Sequence, residues 1–312
     1  MNRSKLIGAT ALASVMAASA AHAEMSISGL FAGKLTDTDG GGLAHGVSTN
    51  SIYVSYSDSM DNGMGVGLVM SVTEGAIKTD LNIDTGMGTV ALGNGVDSAM
   101  DGMDGSPACF SLNLCGSAMN TNYVDGDSLS GNSVGYKNSV GNISFNITRG
   151  MEADSVAAVA ADATTDPITV GSEATEGNEA VTSVAASTSI MGATVKAGVT
   201  QIDYKGDTPD IDPSFVTVGY SIAGLNLGYA LYDGDNGGEE TQMGVGTSMM
   251  GMDVGITFAT ADLTTDVDYT MISASKGMGA ASFGLDYTET DSAAAAGAGD
   301  SDAWQFTYIV GF

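Results

Sequence analysis

The chain has 312 residues, 44 of them glycine, and carries 37 acidic residues against nine basic ones, a formal charge of −28. That balance excludes nucleic-acid binding through a basic surface, which needs clustered Lys and Arg. Hydrophobic residues come in short alternating pieces, and no segment after the first 23 residues approaches the roughly 18 consecutive apolar residues of a membrane helix.

The N-terminus reads as an export signal. Arg3 and Lys5 form a positive start, Leu6 to Ala20 an Ala-rich apolar run, and Ala21-His22-Ala23 a small-x-small cleavage site. The run is short for an anchor, so residues 1–23 are predicted to be a cleaved signal peptide and 24–312 a single mature domain. Cleavage would remove Arg3 and Lys5, leaving seven basic residues against 37 acids and a formal charge of −30. Such acidity means a negative field in any pore, which enriches cations. It equally suits a generally acidic surface adapted to salty water, and composition leaves both open.

Sixteen alternating segments follow in chain order: 25–35, 50–58, 63–72, 77–85, 88–94, 132–139, 142–149, 180–190, 193–203, 214–222, 225–233, 241–249, 252–260, 267–276, 280–289 and 303–312. Each places apolar side chains on one face and small or polar ones on the other, the period of two that a strand imposes. Segments 77–85 and 267–276 alternate poorly, which puts the count between about 14 and 18. Tight turns recur at Gly86-Met87-Gly88, Met191-Gly192, Ala223-Gly224, Met250-Gly251 and Gly277-Met278-Gly279. Glycine there supplies the positive φ that short hairpins need. Longer polar loops alternate with these turns. The pattern predicts an all-β fold: a transmembrane antiparallel β-barrel with short periplasmic turns and long extracellular loops.

The register agrees with a membrane. Ile143, Phe145 and Ile147 share one face, as do Leu225, Leu227, Tyr229 and Leu231, and neither set is charged. The first charges in these and the matching registers are Arg149, Asp203, Asp233, Asp262 and Glu289, all at the far ends. Eight residues at ~3.3 Å each, tilted by about 45°, climb roughly 19 Å, near the height of the apolar band. The last segment puts Trp304, Phe306, Tyr308, Val310 and Phe312 on one face and Gln305, Thr307, Ile309 and Gly311 on the other. A soluble sandwich or solenoid would also alternate, but it would not end on an exposed aromatic ladder.

The opening strand Met25-Ser26-Ile27-Ser28-Gly29-Leu30-Phe31, the segment Gly88-Thr89-Val90-Ala91-Leu92-Gly93-Asn94, the sixteen-segment spacing and the terminal Phe312 together resemble the general porins of Gram-negative outer membranes, of alphaproteobacterial type. The resemblance spans the mature chain. It implies a multi-pass barrel of the outer membrane, surrounded by its lipid and assembled as a homotrimer. It also implies that Phe312, with Tyr308, is the C-terminal signal read by the barrel assembly machinery. In that family the third extracellular loop folds inward, its acids facing a basic cluster on the wall.

The longest interruption here runs from Val96 to Gly131, after the fifth segment. By the resemblance, Asp97, Asp101 and Asp104, with Asp125 and Asp127 later in the loop, are candidates for a pore constriction. Clustered carboxylates also suit a Ca²⁺ site or a plain solvated loop. The basic side departs from the family pattern. The one mature arginine, Arg149, reads as a rim residue, while Lys34, Lys78, Lys137 and Lys196 fall in lumenal registers. Cys109 and Cys115 both lie in this loop, and an oxidising compartment favours a disulfide between them. Metal binding by these thiols would need further ligands, and the sole mature histidine, His45, reads as part of a Gly-rich first loop.

No Gly-x-Ser-x-Gly element, Walker loop, zinc spacing or dinucleotide fingerprint is present, so no enzyme activity is expected, nor any cofactor other than Ca²⁺ at the loop carboxylates. The function implied is passive diffusion of small hydrophilic solutes and ions, with a preference for cations. The alternatives are a substrate-specific outer-membrane channel and a structural barrel or adhesin.

Overall fold

The computed structural model describes residues 24–38, 42–73, 76–100, 103, 105–111, 132–150, 178–204, 209–235, 238–262, 266–292 and 301–312. The signal segment 1–23 lies outside them. Sixteen strands run in order: β1 (Glu24–Thr38), β2 (Gly42–Ser59), β3 (Gly65–Thr73), β4 (Ala76–Asp84), β5 (Thr89–Gly93), β6 (Ser133–Val140), β7 (Ile143–Gly150), β8 (Asn178–Ile190), β9 (Ala193–Tyr204), β10 (Ser214–Ile222), β11 (Leu225–Asp233), β12 (Glu239–Met249), β13 (Met252–Asp262), β14 (Val267–Met278), β15 (Ala281–Ser292) and β16 (Ser301–Gly311). Every strand pairs antiparallel with its chain neighbours, and β16 pairs with β1 to close the barrel. Closure leaves no edge, so no strand faces lipid with unpaired backbone groups.

The poorly alternating segments 77–85 and 267–276 are strands after all, held by partners on both sides. β2 departs from expectation. It starts at Gly42 rather than near residue 50, so His45 belongs to a strand and not to a loop. The long β1 supplies the template: past a bulge between Ala32 and Gly33, pairing continues through Leu35 and His45 up to Thr38 and Gly42. Glycine-rich sequence hid a strand that its neighbour dictates.

Five of the short connections are two-residue turns, at Met191-Gly192, Ala223-Gly224, Met250-Gly251, Gly279-Ala280 and Gly141-Asn142. In the first three the leading residue has φ near 50° and the glycine a φ of 72–86°. Two successive positive φ values give the turn whose twist matches that of the strands it joins.

Cross-strand partners share a face, so the register sorts the wall into two sides. Outward stand Ile52, Val54, Leu68, Met70, Leu227, Tyr229, Ile256, Phe258, Leu285 and Phe306, among others. Inward stand Thr148, Ser183, Thr200, Thr217, Thr257, Ser273, Asp286, Gln305 and Thr307, all buried. Apolar outside and polar inside inverts a soluble protein, as a lipid-embedded barrel requires. Gln305 and Thr307 face the interior as the register predicts, yet they are covered rather than open to water.

The closing seam ends in a clasp. The Gly29 amide donates to the Phe312 carbonyl at 2.9 Å, and the Phe312 amide donates to the Gly29 carbonyl at 3.1 Å. A side chain at Gly29 would collide with the Phe312 ring, and one at Gly33 with the Tyr308 ring. Glycine on β1 therefore makes room for the aromatic row of β16. That row continues outside the barrel through Phe306–Tyr308 (6.5 Å), Phe306–Phe283 (6.1 Å) and Trp304–Tyr287 (4.8 Å between centroids). His45 joins it, its Nε2 hydrogen-bonded to the Tyr308 hydroxyl at 2.9 Å.

Candidate pore constriction

β5 is only five residues long because the chain turns inward at its end. Gly93 has φ 156°, and a side chain there would strike the Thr79 carbonyl. Asn94 replaces the ladder: its Oδ1 accepts from the Thr79 amide (2.7 Å) and its Nδ2 donates to the Ile77 carbonyl (3.2 Å). The Gly95 amide donates to Asp80 Oδ1 at 2.9 Å. From here the loop runs along the inner wall rather than out into solvent.

Its anchors are small hydroxyls. The Ala99 amide donates to Thr148 Oγ1 (2.7 Å) on β7, and Ser98 Oγ meets Ser183 Oγ (3.1 Å) on β8. The Met100 amide donates to Ser183 Oγ, while the Thr200 hydroxyl on β9 lies 2.9 Å from Ser183 Oγ and 3.0 Å from Met100 Sδ. Ala99 and Met100 are buried with Ala185 and Phe215 in the barrel's main apolar cluster, with Met103 and Tyr232 packed against it. Here the core of the protein lies beneath the loop, inside the wall.

Further along, the wall is carved by glycine. A side chain at Gly228 would overlap Pro107 and Ala108, one at Gly244 the Ala108 carbonyl, and one at Gly246 or Gly255 the Phe110 ring. The Ala108 carbonyl accepts from Thr257 Oγ1 at 2.7 Å. Cys109 packs against Ala259 and Met271, and Ser111 lies against Asp286 on β15. The described loop residues between Gly95 and Ser111 thus lie along the inner wall from β4 to β15.

The charged side chains form one cluster where the loop begins. Lys78 and Asp80 share the inner face of β4, and Lys137 stands on the inner face of β6. Asp97 Oδ1 lies 4.0 Å from Lys78 Nζ, both side chains half-exposed. A cavity of about 490 Å³ opens below, between Met103 of the loop and Thr89, Lys137, Ser139, Ser144 and Asn146. Its lining is mixed, with Met103 and Phe145 beside the polar groups, and Lys137 is its charged side chain.

Of the predicted constriction acids, Asp97 is placed here; Asp101, Asp104, Asp125 and Asp127 lie outside the described residues, as does Cys115. All four lysines do face the lumen, but only Lys78 and Lys137 come together. Lys34 is opposite Thr307 on the closing seam, and Lys196 is opposite Ser187 near a short turn. Asp97 meets a lysine on β4, next to the strand from which the loop departs, not a basic cluster across the bore. Asp80 was missed by sequence reasoning. Its spacing of two from Lys78 was the available signal, since strand residues two apart share a face. Arg149 lies on the outward register and donates to Thr182 Oγ1 (3.1 Å), as a rim residue should. Among the described residues no three His, Cys, Asp or Glu side chains gather into a metal-holding group.

A family model described as Gram-negative porin matches residues 8–310. OmpT of Vibrio cholerae is similar in structure, with a TM-score of 0.64 at 12% identity over 94% of this chain and 99% of that one. Two variants of the Rh. blastica porin superpose with TM-scores of 0.61 and 0.65, at 15% and 14% identity, over 93% of this chain and all of theirs. No curated protein matches the chain in sequence. Sequence similarity over nearly the whole length and a closed sixteen-stranded wall agree, and the chain belongs to the Gram-negative porin family, a multi-pass β-barrel of the outer membrane.

Proposed function

We propose that this porin is a passive channel for small hydrophilic solutes and ions, with a preference for cations. The observation that carries the reading is a closed sixteen-stranded wall whose inner face is polar and whose third loop lies along that face beside a cavity of about 490 Å³ lined in part by Lys137. Sixteen strands enclose a bore wide enough for water. The acidic excess supports the cation preference, because a negative lumen raises the local cation concentration and repels anions.

The finer parts of the reading follow from the family and the compartment. Residues 1–23 serve as the export signal, Phe312 and Tyr308 as the assembly signal, and the barrel works as a homotrimer. Cys109 and Cys115 form a disulfide that stiffens the loop tip, contributing ~2 kcal/mol. Asp101, Asp104, Asp125 and Asp127 join Asp97 as acids of the constriction, and Ca²⁺ is an occupant to be tried there.

Planar-bilayer recording in a salt gradient tests the function. Stepwise currents with a reversal potential favouring cations are expected. Absence of channel steps would remove the pore reading, whereas an anion-favouring reversal potential would remove the selectivity alone. Saturable flux of one solute would move the protein to the substrate-specific class.

A further inference from the structure

The apolar outer face does not stop at the aromatic residues near the short turns. Tyr136, Phe145, Tyr220 and Phe283 stand on the outward register close to those turns. Such residues mark the boundary between lipid and water in outer-membrane barrels. Past them, four consecutive hairpins stay apolar through the tip: Ile190-Met191-Gly192-Ala193, Ile222-Ala223-Gly224-Leu225, Met249-Met250-Gly251-Met252 and Met278-Gly279-Ala280-Ala281. None of these sixteen positions bears a polar side chain.

Met191 and Met250 are 96% and 93% exposed, and both hold positive φ, 51° and 54°. Asn, Asp and Gly adopt that conformation at least cost, so methionine there works against both the backbone and the hydrophobic effect. The other three turns of the same end are built differently: the β6–β7 turn carries Asn142, which donates to the Ser189 carbonyl at 2.9 Å, and the other two are acidic. Met60-Asp61-Asn62-Gly63-Met64 and Asp84-Thr85-Gly86-Met87-Gly88 carry acids, and their polar side chains bond within the turn: Asn62 accepts from the Met64 amide and Asp84 from the Gly86 amide.

We propose that the turns from β8–β9 to β14–β15 sit in the headgroup layer of the inner, phospholipid leaflet, with Met191 and Met250 as flexible apolar pins. The β2–β3 and β4–β5 turns stand in periplasmic water, so one side of the barrel is seated deeper than the other. Continuity with the lipid-facing band names the occupant: on the strands leaving these tips the outward pairs Ala193 and Val195, Leu225 and Leu227, Met252 and Val254, and Ala281 and Phe283 are all apolar, although Thr247 and Lys276 stand opposite Leu225 and Phe283 on the neighbouring strands. Charge agrees, because a chain with 37 acids places none at these four tips, where anionic headgroups would repel them. Methionine suits the role, since an unbranched thioether adapts to a disordered layer.

The double variant M191N/M250N gives opposite signs for the two placements. In water, Asn relieves the positive-φ cost and raises the urea midpoint of the folded barrel. In the headgroup layer it forfeits apolar contact, and the midpoint in phosphatidylethanolamine–phosphatidylcholine vesicles is expected to fall; an unchanged or raised midpoint overturns the proposal. Hydroxyl-radical footprinting of the unaltered protein in the same vesicles decides the matter even if the variant does not insert. Met191 and Met250 should oxidise severalfold more slowly than Met87, and equal rates overturn the seating. Slow oxidation in native envelopes but fast oxidation in pure-lipid vesicles would identify a periplasmic protein as the occupant and overturn it equally.

Discussion

Thr148 and Lys78 show how much of the loop's position and of the lumen's field rests on single side chains. The Ala99 amide is buried and Thr148 Oγ1 accepts from it. Replacing Thr148 by Val keeps the shape and removes the acceptor, which should loosen the loop by about 1–3 kcal/mol while leaving the barrel ladder intact. Noisier open-channel current with an unchanged unfolding midpoint is the expected result, and a quiet channel would show that the anchor is dispensable. The pair of Asp97 and Lys78 is half-exposed and sits at the outer limit of ion pairing, so it adds little to stability, on the order of 0–1 kcal/mol. Its weight is in the field: Lys78 masks Asp97 on the same wall. K78M should therefore shift the reversal potential further toward cations, by roughly fivefold in permeability ratio at most for one charge at close range in water. D97N alone should move it less than neutralising an unmasked acid would.

The loop and its bed are two elements that fit because one is missing side chains. Gly228 on β11, Gly244 and Gly246 on β12 and Gly255 on β13 leave a channel in the wall into which Pro107, Ala108 and Phe110 settle. G228A places a methyl group on the Pro107 carbonyl. The loop must shift, at a cost typical of overpacking, about 1–3 kcal/mol. We expect an altered conductance and faster proteolysis of the loop with the barrel still folded; normal conductance would mean the bed is not what positions it. The strands themselves were legible, since outward sets such as Leu225, Leu227, Tyr229 and Leu231 repeat with period two wherever lipid selects one face. The bed was not. In sequence its glycines read as weak points in a strand, and nothing local connects Gly228 to Pro107, more than a hundred residues earlier. The beginning of β2 was hidden for a related reason: Gly42 to His45 have little strand preference of their own and pair because β1 extends beside them. Contacts made across the lumen leave no period to read.

The whole molecule carries an acidic excess that no single residue explains. The described lumenal charges nearly balance where the loop begins, with Lys78 and Lys137 set against Asp80 and Asp97. A cation preference must then come from the summed field of many acids rather than from one ring. These two origins respond differently to salt. Charges lining a narrow gap touch the passing ion and are screened little, whereas a diffuse field decays over the Debye length, about 10 Å at 0.1 M and 3 Å at 1 M. If the diffuse field dominates, the cation-to-anion permeability ratio should fall steeply between 0.1 and 1 M salt, on the order of severalfold, and K78M should matter most at the high end, where only near charges remain. Reversal potentials at a fixed concentration ratio, measured across that range for the unaltered protein and for K78M, separate the two. A ratio that does not change with salt would place selectivity in close contacts at the constriction, and the acids of the third loop would then carry it.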